Sequence, residues 1–174
     1  FLNESNSILW ASEKDGWRHL YQISLEGKPE VLITKGEYDV IDLKYIHNKE
    51  GFVYYLASPD NATQKYLYKT NLNGKGKNEL VSPKNLKGSH DYSFSSNGNY
   101  AAHTFSNHFT PYSKEFISIA NHKALTEEES ILRNVKKLEK KSTTEFFSIT
   151  TADNVEMDGW MVKPTNFDPN KKYP

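Results

Sequence analysis

Short apolar and aromatic runs, separated by polar turn residues, follow one another along most of the chain. The first two runs cover residues 8–11 and 17–23, and Asp15-Gly16 lies in the polar segment between them. An Asp-Gly pair between such runs favours a tight turn, because Gly adopts positive φ at little steric cost and Asp tolerates the left-handed region. The pattern therefore predicts a strand-turn-strand unit.

This unit recurs along the chain. The pair Leu-Tyr at 20–21 returns at 67–68, and the pattern Leu-X-Gly at 25–27 returns at 72–74, in both cases 47 residues later. Residues 100–106 form a weaker third copy of residues 52–58. A repeat of roughly 40–50 residues made of short strands is typical of a β-propeller blade. We therefore predict a mainly β fold, a partial β-propeller of about two to three four-stranded blades.

Alternating or apolar segments bounded by turn residues predict the strands of these blades. Beyond the first hairpin, these segments cover residues 31–34, 39–46, 52–57, 66–72, 79–82, 91–95, 100–106 and 115–119. The string F-S-S-N-G-N-Y-A at 94–101 resembles the F-S-P-D-G-x-Y motif of many propeller families, and Asn97-Gly98 is expected to supply two positive-φ positions of a tight hairpin. That motif marks a fold rather than an activity.

The apolar period changes at Ala124. Thr126 and Glu129 have the spacing of a capping box, which predicts a helix with Thr126 as its N-cap. Ile131, Val135 and Leu138 would form its apolar face, with three Glu at the positive end of the helix dipole and four Lys towards the other end. A strand at 144–150, a turn at 151–154 and a returning strand at 157–162 are expected to follow.

Composition excludes several kinds of partner and site. Lys and Arg number 22, as do Asp and Glu, so the charge implies neither nucleic acid nor an anionic membrane surface as a partner. Cysteine is absent, which excludes disulfides and thiolate metal sites. No apolar run approaches the roughly 18 residues of a membrane span. Because the sequence starts at Phe1 without a Met and stops at Pro174, we expect it to be cut at both ends.

Candidate catalytic and metal-binding patterns are weak. Ser89-His90-Asp91 contains the three residue types of a catalytic triad, but consecutive residues on a strand or turn point in different directions. No serine lies in a G-x-S-x-G elbow, and the six histidines show neither H-E-x-x-H nor a paired His-carboxylate spacing. The sequence therefore predicts no catalytic, substrate-binding or metal-ligating residue and no cofactor.

Several segments, read in order, resemble the dipeptidyl peptidase IV family of serine peptidases. They include W-A-S-E-K-D-G-W-R-H-L-Y at 10–21, L-I-T-K-G at 32–36, I-L-R-N-V at 131–135 and F-D-P-N-K-K-Y-P at 167–174. The resemblance spans nearly the whole chain. It implies that residues 1–123 are C-terminal blades of the propeller, and that residues 124–174 are a linking helix and the truncated start of an α/β-hydrolase catalytic domain with its first antiparallel strands.

The resemblance also implies an activity for the parent protein, the release of N-terminal dipeptides after Pro or Ala. The family's catalytic Ser, Asp and His, its oxyanion Tyr and its amine-binding Glu pair would all lie outside this sequence. This chain would then be a non-catalytic scaffold that gates access to the hydrolase site. Its implied partners are peptide substrates, the rest of the propeller and the hydrolase domain; a homodimer of the parent stays open, and the implied location is periplasmic or secreted.

Two alternatives remain at this stage. A binding or interaction propeller of the kind found in periplasmic translocation and WD40-like proteins would explain the blades without peptidase activity. It would not need the helix and strand pair after Ala124. An acylaminoacyl peptidase or prolyl oligopeptidase would have similar architecture, but the string at 10–21 favours the dipeptidyl peptidase group. In either case blades bury their faces against neighbours, so we expect the isolated piece to be marginally stable or prone to aggregate.

Overall fold

Four antiparallel sheets carry most of the computed structural model, which describes residues 2, 6–127, 130–139, 144–164 and 166–173. The first sheet has the order β1-β2-β3. Its strands are Ser7–Ser12, His19–Ser24 and Val31–Leu32. The predicted first hairpin is confirmed: Ser12 pairs with His19, and Gly16 in the turn has a φ of +97° and donates its N–H to Glu13 O at 3.0 Å.

The second and third sheets are four-stranded meanders, as in propeller blades. The second has the order β4-β5-β6-β7, with strands Val40–His47, Phe52–Ala57, Tyr66–Asn71 and Glu79–Leu80. In the third, the order β8-β9-β10-β11 runs through Ser89–Phe94, Tyr100–Ser106, Ser113–Ser118 and Lys123–Ala124. The predicted partial propeller is therefore confirmed. Strand β11 was not predicted, since two residues carry no periodic pattern; β8 begins at Ser89 rather than Asp91 and so includes His90.

Strand β5 lies at the centre of the packing between sheets. Val53 and Tyr55 belong to a core shared with the first sheet, whereas Tyr54 and Leu56 belong to a core shared with the third. Side chains alternate between the two faces of a strand, so both faces of β5 are covered. This double burial explains why its sequence is a continuous apolar and aromatic run rather than an alternating one.

The turn between β8 and β9 contacts the second sheet. The Tyr45 ring stacks on Phe94 with 5.1 Å between ring centroids, and its hydroxyl donates to Ser96 O at 3.0 Å. Of the Asn97-Gly98 pair, Gly98 alone has a positive φ, +73°, so the expectation of two positive-φ positions was wrong. Asn97 instead accepts the N–H of Asn99 through its side chain at 3.1 Å, which closes the turn without a left-handed Asn.

Helix α1 spans Ile131–Glu139 and packs on the third sheet. Ile131 and Val135 are buried together with Leu86 and Phe105, as the predicted apolar face requires; the Leu138 side chain and Glu129 lie outside the described part of the chain. Thr126 is not the N-cap, because α1 begins five residues later, and its first turn carries no acidic residue. No helix among the described residues is long and apolar enough to cross a membrane.

The predicted strand pair after the helix is confirmed as a separate two-stranded sheet. Strands β12 and β13 are Thr144–Thr150 and Glu156–Val162, and they pair antiparallel from Thr144 opposite Val162 to Thr150 opposite Glu156. Large apolar side chains on this hairpin remain uncovered: Phe146 is 64% exposed and Trp160, directly opposite it, is 68% exposed.

Candidate functional site

A row of buried polar side chains crosses the third sheet. In the strand register, Tyr92 on β8 lies opposite His103 on β9, and His103 lies opposite Glu115 on β10. These three residues therefore project from neighbouring strands on the same face of the sheet. All three are almost completely buried, as is His90, two residues before Tyr92 on β8. Polar groups at this depth require hydrogen-bond partners.

Hydrogen bonds join the row into a continuous chain that ends at helix α1. His90 Nε2 lies 2.7 Å from Leu86 O, and His90 Nδ1 lies 2.9 Å from His103 Nε2. His103 Nδ1 is 2.8 Å from Glu115 Oε1. The other carboxylate oxygen, Glu115 Oε2, accepts the N–H of Ile131 at 2.9 Å. Glu115 thus caps the start of α1, a role that was predicted from the sequence for Thr126.

A second branch starts at Tyr92 and links this sheet to the second one. The Tyr92 hydroxyl lies 2.7 Å from His122 Nε2 and 2.9 Å from Ser82 Oγ. Ser82 Oγ in turn accepts the N–H of Leu67, on β6, at 2.9 Å. His122 lies in the turn between β10 and β11 and has a φ of +52°, a left-handed conformation that orients its ring towards Tyr92 and His103.

Burial keeps the outer members of this cluster uncharged. Burial and the neighbouring His103 lower the pKa of His90 to about 3. The same two causes lower the pKa of His122 to about 4, and burial raises the pKa of the Tyr92 hydroxyl. A general base that works near neutral pH needs a pKa close to that pH, so His90 and His122 are poorly tuned for such a role.

One end of the cluster borders an open cavity of about 370 Å³. Glu115 and His122 line it, together with Leu86 from the loop before β8 and Ser130 and Leu132 from the start of α1. The cavity therefore lies where the third sheet meets the helix, and it provides solvent access to an otherwise buried polar group.

The Ser89-His90-Asp91 sequence does not come together as a triad. His90 faces the buried row, whereas Asp91, the next residue on β8, forms ion pairs with Lys44 Nζ at 2.8 Å and Lys65 Nζ at 3.4 Å. Successive residues on a strand point to opposite faces, which accounts for the separation. The Asp91 ion pairs connect the second and third sheets.

The cluster of His103, Glu115 and His122 was not found by sequence reasoning. Motifs such as H-E-x-x-H have short spacings, but the two histidines lie 12 residues before and 7 residues after Glu115 in the chain. The pairing register of β9 and β10 brings His103 opposite Glu115. The left-handed backbone conformation of His122 adds the third residue. A signal existed in the predicted strands 100–106 and 115–119, which carry His103 and Glu115, but pairing these residues requires the register of the hairpin.

Comparison with known proteins identifies the family. The family model described as "Dipeptidyl peptidase IV (DPP IV) N-terminal region" matches residues 1–112. This chain belongs to that family. Relatives include dipeptidyl peptidase 4 of Trichophyton rubrum, 26% identical over 166 residues, and dipeptidyl peptidase 4 of Arthroderma otae, 26% identical over 167 residues. In both cases the match covers 94% of this chain and 21% of the relative, so the chain spans about a fifth of their length.

A solved structure extends the similarity past residue 112. The crystal structure of Porphyromonas gingivalis dipeptidyl peptidase 4 matches with a TM-score of 0.76 and 28% sequence identity. The match covers 98% of this chain and 24% of that one. It therefore reaches the helix and the hairpin that follow the third sheet. The resemblance to the dipeptidyl peptidase IV family is confirmed.

Proposed function

We propose that this chain is the non-catalytic late-propeller and junction part of a serine-type dipeptidyl peptidase, which releases Xaa-Pro and Xaa-Ala dipeptides from free N-termini. The observation that carries the proposal is the extent of the match to a dipeptidyl peptidase 4 structure, 98% of this chain. A propeller that only binds partners would need neither α1 nor the β12–β13 hairpin. Substrates of the parent are peptides, and its location is periplasmic or secreted.

Within this proposal, residues 1–123 are blades and residues 124–174 lead into the hydrolase domain. Two features support that role. The bond from Ile131 N–H to Glu115 fixes the start of α1 to the third sheet. The exposed Phe146 and Trp160 provide an apolar surface that further hydrolase elements would cover. The blades would then hold the hydrolase in place and restrict which peptides enter.

The experiment is a peptidase assay on the full-length natural protein. We expect p-nitroaniline release from Gly-Pro-p-nitroanilide and Ala-Ala-p-nitroanilide, and its loss after treatment with a serine-directed organophosphate. N-acetylated Gly-Pro-p-nitroanilide is the matched control, and it should remain uncleaved. Cleavage of the acetylated substrate would instead indicate an acylaminoacyl peptidase or a prolyl oligopeptidase. Absence of any release would contradict the peptidase proposal and favour a binding propeller.

A further inference from the structure

Three potential metal ligands meet beside the cavity. His103, Glu115 and His122 each offer one ligand atom, and these atoms lie within 4.8 Å of one another. They come from β9, from β10 and from the turn between β10 and β11. Two imidazoles and one carboxylate form a donor set that zinc sites use, often with a further position open to solvent.

The hydrogen-bond chain fixes which nitrogen of His103 faces Glu115. Leu86 O can only accept, so His90 Nε2 carries a hydrogen and donates to it. His103 Nε2 lies 2.9 Å from His90 Nδ1, so this nitrogen of His103 points away from Glu115. His103 Nδ1 is therefore the nitrogen that faces Glu115 Oε1.

A direct contact joins His103 Nδ1 to Glu115. The two atoms lie 2.8 Å apart, so a proton or a metal ion shared between them satisfies both. A proton satisfies the contact between these two atoms alone. A metal ion would also engage His122, whose ligand atom lies within 4.8 Å of the other two and whose backbone conformation is left-handed.

The surroundings also match those of a metal site. Metal-bound histidines usually bond their second ring nitrogen to another polar group, and His103 Nε2 lies 2.9 Å from His90 Nδ1. Glu115 Oε2 is held by Ile131 N–H, and His122 is held by the Tyr92 hydroxyl. Glu115 and His122 line the open cavity, which provides an access route and room for a water ligand.

We propose that His103, Glu115 and His122 bind a divalent transition-metal ion, with zinc as the best fit to this donor set. Imidazole nitrogens favour zinc over magnesium or calcium, which prefer oxygen ligands. The ion is structural: it joins β9, β10 and the turn before β11, and through Glu115 it also fixes the start of α1. Its binding stabilises the junction between the third sheet and the helix.

The test compares wild-type full-length protein with His122→Asn. Asn is a suitable replacement because it adopts left-handed backbone conformations readily. His108→Asn is the matched control, since His108 is an exposed histidine that contacts Phe109 and Phe146 and takes no part in the cluster. All three proteins are stripped with a chelator, checked by circular dichroism for the same fold, and titrated with zinc chloride in a calorimeter.

We expect the wild type and His108→Asn to bind one zinc ion more per chain than His122→Asn, or to bind that ion more than about tenfold more tightly. Zinc should also raise the thermal midpoint of the first two proteins more than that of the third. Cobalt bound at the same site should give visible d–d absorption that His122→Asn lacks. Equal zinc uptake by wild type and His122→Asn would overturn the proposal and leave a proton as the cation between His103 and Glu115.

Discussion

The Glu115 carboxylate accepts the backbone N–H of Ile131 at 2.9 Å, across 16 residues of sequence. The same carboxylate contacts the His103 ring through its other oxygen. One buried side chain in the third sheet therefore supplies the cap of α1 and completes the polar row of the blade. The link makes the position of the helix depend on the packing inside the blade.

Replacing Glu115 should loosen the helix from the sheet. Glu115→Ala leaves the Ile131 N–H and the His103 ring without this partner, and leaving a buried polar group unpaired costs about 1–3 kcal/mol. Glu115→Gln keeps one acceptor oxygen and should cost about 1 kcal/mol. Thermal unfolding of the full-length protein, together with the rate of limited proteolysis at 121–127, measures the effect. Faster cleavage in Glu115→Ala than in Glu115→Gln is expected.

Glu79→Ala is the control for that comparison. Its carboxylate pairs with Lys69 at 3.0 Å, but its side chain is 64% exposed, and ion pairs of this kind contribute about 0–1 kcal/mol. It should leave proteolysis at 121–127 unchanged. Equal effects of Glu79→Ala and Glu115→Ala would show that Glu115 does not hold the helix.

Alanine substitutions at Gly98 and Gly51 separate the free energy of a contact between two sheets from the free energy of backbone strain. Both have a φ of +73°. A Cβ at Gly98 would lie 2.5 Å from Tyr45 Cε1, whereas a Cβ at Gly51 would meet no atom within 4 Å. Gly51→Ala should cost about 1 kcal/mol of left-handed strain. Gly98→Ala should cost about 1–2 kcal/mol more, since Tyr45 must move.

The measurement is the thermal midpoint of each variant, with fluorescence of the aromatic residues as the signal. A larger decrease in Gly98→Ala is expected. Equal decreases in the two variants would mean that the Tyr45 ring shifts freely and that the turn after β8 contributes little to packing between sheets.

The sheets could be predicted from the sequence because their determinants are local. Alternating apolar positions indicate β4, turn residues indicate the first hairpin, and a continuous apolar run indicates β5. Each of these patterns lies within a few consecutive residues. Strand β11 has two residues, too few for any period. The start of α1 was misplaced because Thr126 has a local capping pattern, while the acceptor for Ile131 N–H comes from Glu115 in another element.

The cluster of His103, Glu115 and His122 could not be predicted, because a single sequence does not contain the information that brings these residues together. His103 and Glu115 meet only because β9 and β10 pair in one register, and a shift by one residue would turn either side chain to the other face. His122 joins them through a positive φ, which is uncommon for any residue other than Gly and which no local pattern around His122 indicates. The family, by contrast, was recognisable from the order of its motifs along the chain.

Asp91 should make stability depend on pH in the acid range. Burial would raise its pKa, but hydrogen bonds from Lys44 and from the Tyr92 N–H outweigh that effect and lower it below the ordinary 3.8. A carboxylate with a lowered pKa stabilises the fold above pH 3.8, and this contribution is lost as the pH falls through the folded-state value. Because the Asp91 side chain is 45% exposed, its ion pairs are partly screened by solvent.

Asp91→Asn should therefore lower the thermal midpoint at pH 7, by an amount equivalent to about 0.5–1 kcal/mol at low salt. The difference from wild type should shrink in high salt and as the pH is lowered towards 3. Asp60→Asn is the control, because Asp60 forms no ion pair with any described residue. A difference between Asp91→Asn and wild type that is constant across this pH range would mean that the Lys44 ion pair contributes nothing.

The β12–β13 hairpin should control the behaviour of the 174-residue chain on its own. Phe146 and Trp160 lie opposite each other at 64% and 68% exposure, and Ile149 and Met157 form a second exposed pair at 51% and 50%. Because side chains alternate along a strand, the two pairs lie on opposite faces of the hairpin, and uncovered apolar faces of this kind favour association. We expect the isolated chain to elute as oligomers in light-scattering chromatography. The double replacement Phe146→Ser with Trp160→Ser should shift it towards monomer.

Tyr112→Ser provides the comparison for that double replacement. Tyr112 is 73% exposed but lies outside the hairpin, in the loop before β10, so its removal should not change the oligomer distribution. A monomeric wild-type chain with one cooperative thermal transition would contradict the prediction, because it would mean that the exposed apolar side chains of the hairpin need no covering elements. Equal effects of Tyr112→Ser and the double replacement would place the associating surface elsewhere.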